Sequence, residues 1–196
     1  EYRPRSDQVR QSMSTRCQLR FTDENTDRVA QIYRHSDGYP EGILPLLEHV
    51  QELLHATGTQ RDASYAAAQF IFIDKLWDIE QTFRRKDGLN GDLPGTVEGV
   101  LNPESWEDLN QTPSYLLGHG VEDPSCGIHG DEEYLYIVEL PARSPFDEPA
   151  EWKIKVSEHC GFPRWDEEGA EQAFQLAEWQ FEGTLEKAVE RLGSND

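Results

Sequence analysis

Hydrophobic periodicity switches from strand-like to helix-like across 32–42, and that switch limits most strongly what the chain can fold into. The stretch reads Ile32-Tyr33-Arg34-His35-Ser36-Asp37-Gly38-Tyr39-Pro40-Glu41-Gly42. Before it, 28–34 sets Val29 and Tyr33 opposite Ala30 and Ile32, the two-residue alternation of a strand. After it, Ile43, Leu46, Leu47, Val50, Leu53 and Leu54 recur at helical spacing. Asp37-Gly38 is a turn dipeptide, because glycine takes positive φ and aspartate bonds back to its own backbone. Pro40 biases Tyr39 toward an extended conformation, so the helix is expected to begin later, near Pro45. A strand therefore hands over to a helix through a joint that carries an imidazole, a carboxylate and two phenols.

The rest of the chain follows from the same two periods. In 16–21, Cys17, Leu19 and Phe21 share one face, as in a half-buried strand, and the Asp, Asn and Thr of 22–27 predict a hairpin connection to the next strand. Gly58 stops the first helix. A second helix is predicted over 62–85, with Tyr65, Phe72, Ile79 and Phe83 on one side and Phe70, Ile73 and Trp77 on another. Apolar residues nearly all round predict that it is the most buried helix of the fold. Strand character returns in 133–140, apolar on both faces and hence central, and in 151–157, where Trp152, Ile154 and Val156 alternate with polar residues. A last helix is predicted from about Asp166 to Leu192, with Gly183 as a possible break. The order β-β-α-α-long loop-β-β-α predicts α+β architecture: an antiparallel sheet of four or more strands with helices packed on one face.

Between the second helix and the returning strands, 87–131 is rich in Gly, Pro and acidic residues, with a short helix expected at 105–109 and a brief strand at 115–117. So long a connection exceeds the usual length of about 4–6 residues, which marks it as functional or as hiding elements of its own. With 196 residues the chain suits one domain, expected over 13–196, after a polar arm or leader at 1–12.

Charge is the outlier. Thirty-eight acidic residues against 18 basic give −20, and only five of the cations are lysines. Residues 91–150 hold −12 of that total, whereas 61–90 is neutral. Self-repulsion of this size strains a compact chain in dilute buffer, and molar salt, with a Debye length of about 3 Å, screens it. A salt-adapted surface is one reading, and an acidic mimic of nucleic acid is another. Direct nucleic-acid binding is disfavoured, since no extended basic face is available to displace counterions. Cys17, Cys126 and Cys160 form no C-x-x-C pair, which suggests a reducing, cytoplasmic setting, or virion and host cytoplasm for a viral protein. No apolar run reaches the roughly 20 residues of a membrane span.

Candidate binding residues gather in two places: Tyr33, Arg34, His35, Asp37 and Tyr39 in the joint, and His119, His129 and Asp131 in the long loop. A polar pocket walled by Tyr33, Tyr39 and Trp106 would let Arg34, His35 and His129 meet an anionic or carbonyl group. Histidine–carboxylate pairs also suit general acid/base work near neutral pH. His119, Cys126 and His129 are weak zinc candidates, with His159 and Cys160 as further donors, but the spacing matches no established zinc pattern, so no cofactor is expected. Cys17, on the apolar face of its strand, reads as packing rather than nucleophile.

The segment Ser14-Thr15-Arg16-Cys17-Gln18-Leu19-Arg20-Phe21-Thr22-Asp23, followed by the joint and later by His129-Gly130-Asp131, resembles a group of small uncharacterised proteins of bacteria, archaea and their phages. The likeness covers about 40 residues, and the joint is its distinctive part. It implies a viral or mobile-element origin and transfers no activity. Taken together, the expectation is a non-catalytic binding or interaction protein of a salt-adapted microbe or its virus. Its protein partner or small polar ligand would dock at 33–42 and 115–131. A metal-dependent or acid/base hydrolase using His35, Asp37, His129 and Asp131, and an acidic nucleic-acid mimic, are the alternatives.

Overall fold

The computed structural model describes residues 15–24, 26–86, 118–128, 132–142, 150–158 and 178–193. The expectations at 105–109, 115–117 and 166–177, together with Trp106, His129, Asp131, His159 and Cys160, lie outside the described residues.

Among the described residues, six strands form one mixed sheet: β1 (Cys17–Asp23), β2 (Thr26–Arg34), β3 (His119–Glu122), β4 (Tyr134–Leu140), β5 (Lys153–Glu158) and β6 (Phe181–Thr184). Their spatial order is β3-β2-β1-β4-β5-β6. The described α-helices are α1 (Pro40–Thr57), α2 (Ala63–Lys86) and α3 (Leu185–Leu192). The architecture is α+β, as the periodicities predict. All pairings are antiparallel except β1 with β4, which run parallel, Leu19 lying beside Tyr136. Strand β3 runs antiparallel to β2 and hence in the direction of β1, and β4 enters on the far side of β1 in that same direction.

Alternation explains both faces. Cys17, Leu19 and Phe21 of β1, Ile32 of β2, Tyr136 and Val138 of β4, and Ile154 and Val156 of β5 are all buried in one cluster with side chains of the three helices. Each such aliphatic or aromatic side chain contributes about 1.5–3 kcal/mol by leaving water. The opposite face is more polar. Gln18 and Gln31 are fully buried there, and both side-chain amides donate to the Gly127 carbonyl, each at 2.9 Å, and to Oε2 of Glu122 at 2.7 and 3.1 Å. Those bonds hold the 3-10 turn Pro124–Cys126 across the strands, beside a small cluster of Ile128 and Leu135.

Several elements depart from the periodicity. Helix α1 begins at Pro40, not near Pro45, since proline occupies the first helical position, where its missing N–H costs nothing. Pro45 is then accommodated inside the helix. Asp62 caps α2, accepting from the Ser64 and Tyr65 amides at 3.0 and 3.3 Å. Strand β3 lies just after the brief strand expected at 115–117. Phe181–Thr184 is a strand rather than part of the last helix, and Thr184 caps α3 by accepting from the Lys187 amide. Gly183 and the β-branched Thr184 supply the reason, as both lower helix propensity.

The largest departure concerns burial. Helix α1 carries the denser apolar core face, with Ile43, Leu44, Leu46, Leu47 and Val50 fully buried. Helix α2 buries mostly small residues, namely Ala63, Ala66 and Ala67 beside Phe70 and Ile73, and leaves Tyr65, Phe72, Leu76 and Trp77 exposed. An all-round apolar helix reads as buried by composition, yet here the second stripe faces outward.

Candidate functional site

The joint is built around a residue that the sequence reading passed over. Asp74 stands on the sheet-facing side of α2, four positions after Phe70, and is 3% exposed. Its Oδ2 accepts from Nε of Arg34 at 2.6 Å and faces Nε2 of His119 at 2.7 Å, while Oδ1 accepts from the Arg34 terminal nitrogen at 2.9 Å. Arg34 and His119 are directly paired across β2 and β3, so both side chains reach Asp74 from the helical face of the sheet. The other Arg34 terminal nitrogen donates to the Asp37 carbonyl. One carboxylate thus ties helix, central strand, edge strand and turn together. Burial pushes the Asp74 carboxyl up, but the His119 bond and the Arg34 charge outweigh it and hold it below the ordinary carboxylate value.

The sequence held a signal for this. A carboxylate on the buried stripe of an amphipathic helix demands a buried cation, because an unpaired charge there is prohibitive. Arg34, at the inward phase of β2, is the partner that alternation supplies.

Convergence of the joint with the long loop is visible at the backbone. The His35 amide donates to Gly118 at 3.0 Å, the Gly38 amide to Thr15 at 2.9 Å, and the Glu133 amide to Arg16 at 3.0 Å. The Tyr136 hydroxyl donates to the Gly38 carbonyl at 2.8 Å. Joint, β3 entrance and β4 entrance therefore meet at the start of β1. Asp37, with φ of 54°, is the left-handed residue of the turn, not Gly38 as the dipeptide rule predicts. Gly38 is required for close approach instead: a Cβ there would lie 2.7 Å from Cβ of Cys17 and 2.9 Å from the Cys17 backbone nitrogen.

The sequence-predicted residues divide into three groups. Arg34 and His119 belong to the buried ion network, so Arg34 is committed to Asp74 rather than available to an anionic ligand. Tyr33 and His35 fall on the other side of the sheet, Tyr33 pairing with Gln18, and the Tyr33 hydroxyl lies 3.4 Å from Nδ1 of His35. Asp37 and Tyr39 are exposed at the start of α1, and the Tyr39 hydroxyl donates to Asp37 at 3.4 Å. The neighbouring Asp37 charge, then burial, raises the Tyr39 phenol.

Reactive groups are muted at this corner. Burial pushes the Cys17 thiol well up, which leaves it a packed thiol as alternation predicts. The His119 ring is 2% exposed, and among the described residues its Nδ1 meets no hydrogen-bond partner. Among the described residues, no group of three or more His, Cys, Asp or Glu side chains is placed to hold a metal ion. The zinc candidates separate accordingly: His119 faces the helices, and the turn carrying Cys126 crosses the opposite face. Among the described residues, no helix is long and apolar enough to cross a membrane.

Compared with protein-family models, curated proteins and solved structures, the chain matches none of them.

Proposed function

We propose that this chain is a non-catalytic binding protein of a salt-adapted microbe or its virus, working in the cytoplasm. It takes a small polar ligand or a protein partner on the rim of the joint, formed by Asp37, Tyr39 and the half-buried His35. One observation supports this above the hydrolytic alternative. The polar groups beneath the rim, Arg34, Asp74 and His119, are buried and bonded to one another, so they stiffen a surface rather than attack a substrate. The rim itself offers an acceptor carboxylate, a phenol and an imidazole on a backbone pinned at Gly38.

Amide chemical shifts recorded while a panel of small carboxylates, amides and phosphates is added test the site. Shifts gathered at Ser36, Asp37, Tyr39 and Gly118, and lost in Tyr39→Ala, are expected. Shifts gathered elsewhere, or ester or phosphoester hydrolysis that disappears in His35→Ala, would defeat the reading.

Salt adaptation finds support where α1, β5 and α3 approach one another. Burial raises the Glu48 carboxyl, and the charges of Glu52, Glu151 and Glu186 raise it further, so acidic groups crowd there at neutral pH. Screening should relieve them. The urea midpoint is expected to rise steeply from dilute buffer to molar KCl. A midpoint that stays level or falls removes the salt-adapted part of the proposal.

A further inference from the structure

Helix α2 has two apolar stripes, and the described elements cover one. Ala63, Ala66, Ala67, Phe70 and Ile73 face the sheet, each at most 5% exposed. On the outward side Tyr65 is 47%, Phe72 56% and Leu76 47% exposed, with Ile79 half-buried on the same line. Tyr65, Phe72 and Ile79 are spaced by heptads, and Leu76 follows Phe72 by four. That is the spacing of a seam meant for another helix. None of the described elements covers it.

We propose that this seam pairs with α2 of a second copy of the chain, antiparallel across a two-fold axis. Two observations favour a copy over a different partner. The first is charge: the chain carries −20, yet 61–90 is neutral, with Arg61, Lys75, Arg84, Arg85 and Lys86 balancing its acids. Two such acidic molecules approach with least repulsion along this helix, whereas a basic partner is drawn to the acidic surface elsewhere. The second is self-complementarity. With the axis level with position 74, Phe72 of each copy meets Leu76 of the other. Every contact occurs twice, as a closed two-fold interface requires. This surface is separate from the rim of the joint, and the proposal stands without that reading.

Sedimentation of the full chain over a wide concentration range, in dilute buffer and in molar KCl, tests the pairing. The wild type is expected to reach twice the mass of one chain, more readily in KCl, where repulsion is screened and apolar association strengthened. Phe72→Glu should weaken association at least about 30-fold, the effect of a central interface anchor, while keeping the wild-type circular dichroism. Leu76→Lys serves the same purpose should Phe72→Glu fold poorly. Val121→Glu, which alters the exposed edge of β3 (79% exposed), should leave the dimer intact. A wild type that stays monomeric in both salts overturns the proposal, whatever else covers the stripe. So does a dimer that survives both seam variants, or one that Val121→Glu abolishes.

Discussion

Replacing Asp74 with alanine is expected to destabilise the fold by about 3–5 kcal/mol, because it strands the Arg34 guanidinium, unpaired, in the interior. Few single changes are that costly, and this one has a named cause: two buried bonds from Arg34 and one contact with His119 disappear together. Removing both charges with matched apolar groups, Arg34→Met with Asp74→Leu, should cost much less than either single truncation. Urea denaturation of the three variants measures the difference. Equal losses in single and double variants would show that the cost does not come from a stranded Arg34 charge.

The same carboxylate sets an acid limit. Asp74 is depressed in the folded state, so its contribution is fully present above the ordinary carboxylate value of about 3.9 and fades as pH falls through the lower folded value. The stability gap between wild type and Asp74→Asn should therefore narrow on acidification. Asp78 behaves oppositely: burial and then the Asp74 charge raise its carboxyl, so its ionised form opposes folding at neutral pH. Asp78→Asn is accordingly expected to leave stability unchanged or improve it.

Gly38→Ala should be the second most disruptive change at the joint. A methyl group there meets the Cys17 side chain at 2.7 Å and backbone atoms of Arg16 and Cys17 at 2.9 Å. Backbone cannot step aside as a flexible side chain would, so the turn itself must lift. Overpacking alone costs about 1–3 kcal/mol, and lifting the turn also breaks the Gly38–Thr15 bond and the Tyr136 bond to the Gly38 carbonyl. The upper end of that range is expected, together with loss of any ligand response at the rim. A fully stable Gly38→Ala would mean that the joint is not seated on β1.

The period switch at 32–42 was legible because strand alternation and helical recurrence leave different marks, and β1, β2, β4, β5, α1 and α2 all carry them strongly. Strands β3 and β6 were not, since four residues are too few for a period. His119-Gly120-Val121-Glu122 becomes a strand because β2 offers it a pairing edge, not through its own propensity. The candidate site was half legible. The joint and His119 were picked out by residue type, and the backbone brings them together. Their face assignments were not weighed: Tyr33 and His35 cannot share a pocket with Arg34 when alternation sends them to opposite sides of the sheet. Asp74 was hidden within a helix read for its apolar residues alone. The outward stripe of α2 was read correctly as apolar but placed inside, because composition cannot distinguish a buried helix from one awaiting a partner.

The joint, α2 and the entrance of β3 should open and close as one unit, and native-state hydrogen exchange reads this directly at the amides of His35 and Gly38. These are predicted to exchange with the same opening free energy as the Leu19 and Phe21 amides of β1, and to lose that protection first in Asp74→Asn. Rapid exchange of both in the wild type, at rates that Asp74→Asn leaves untouched, would contradict the account.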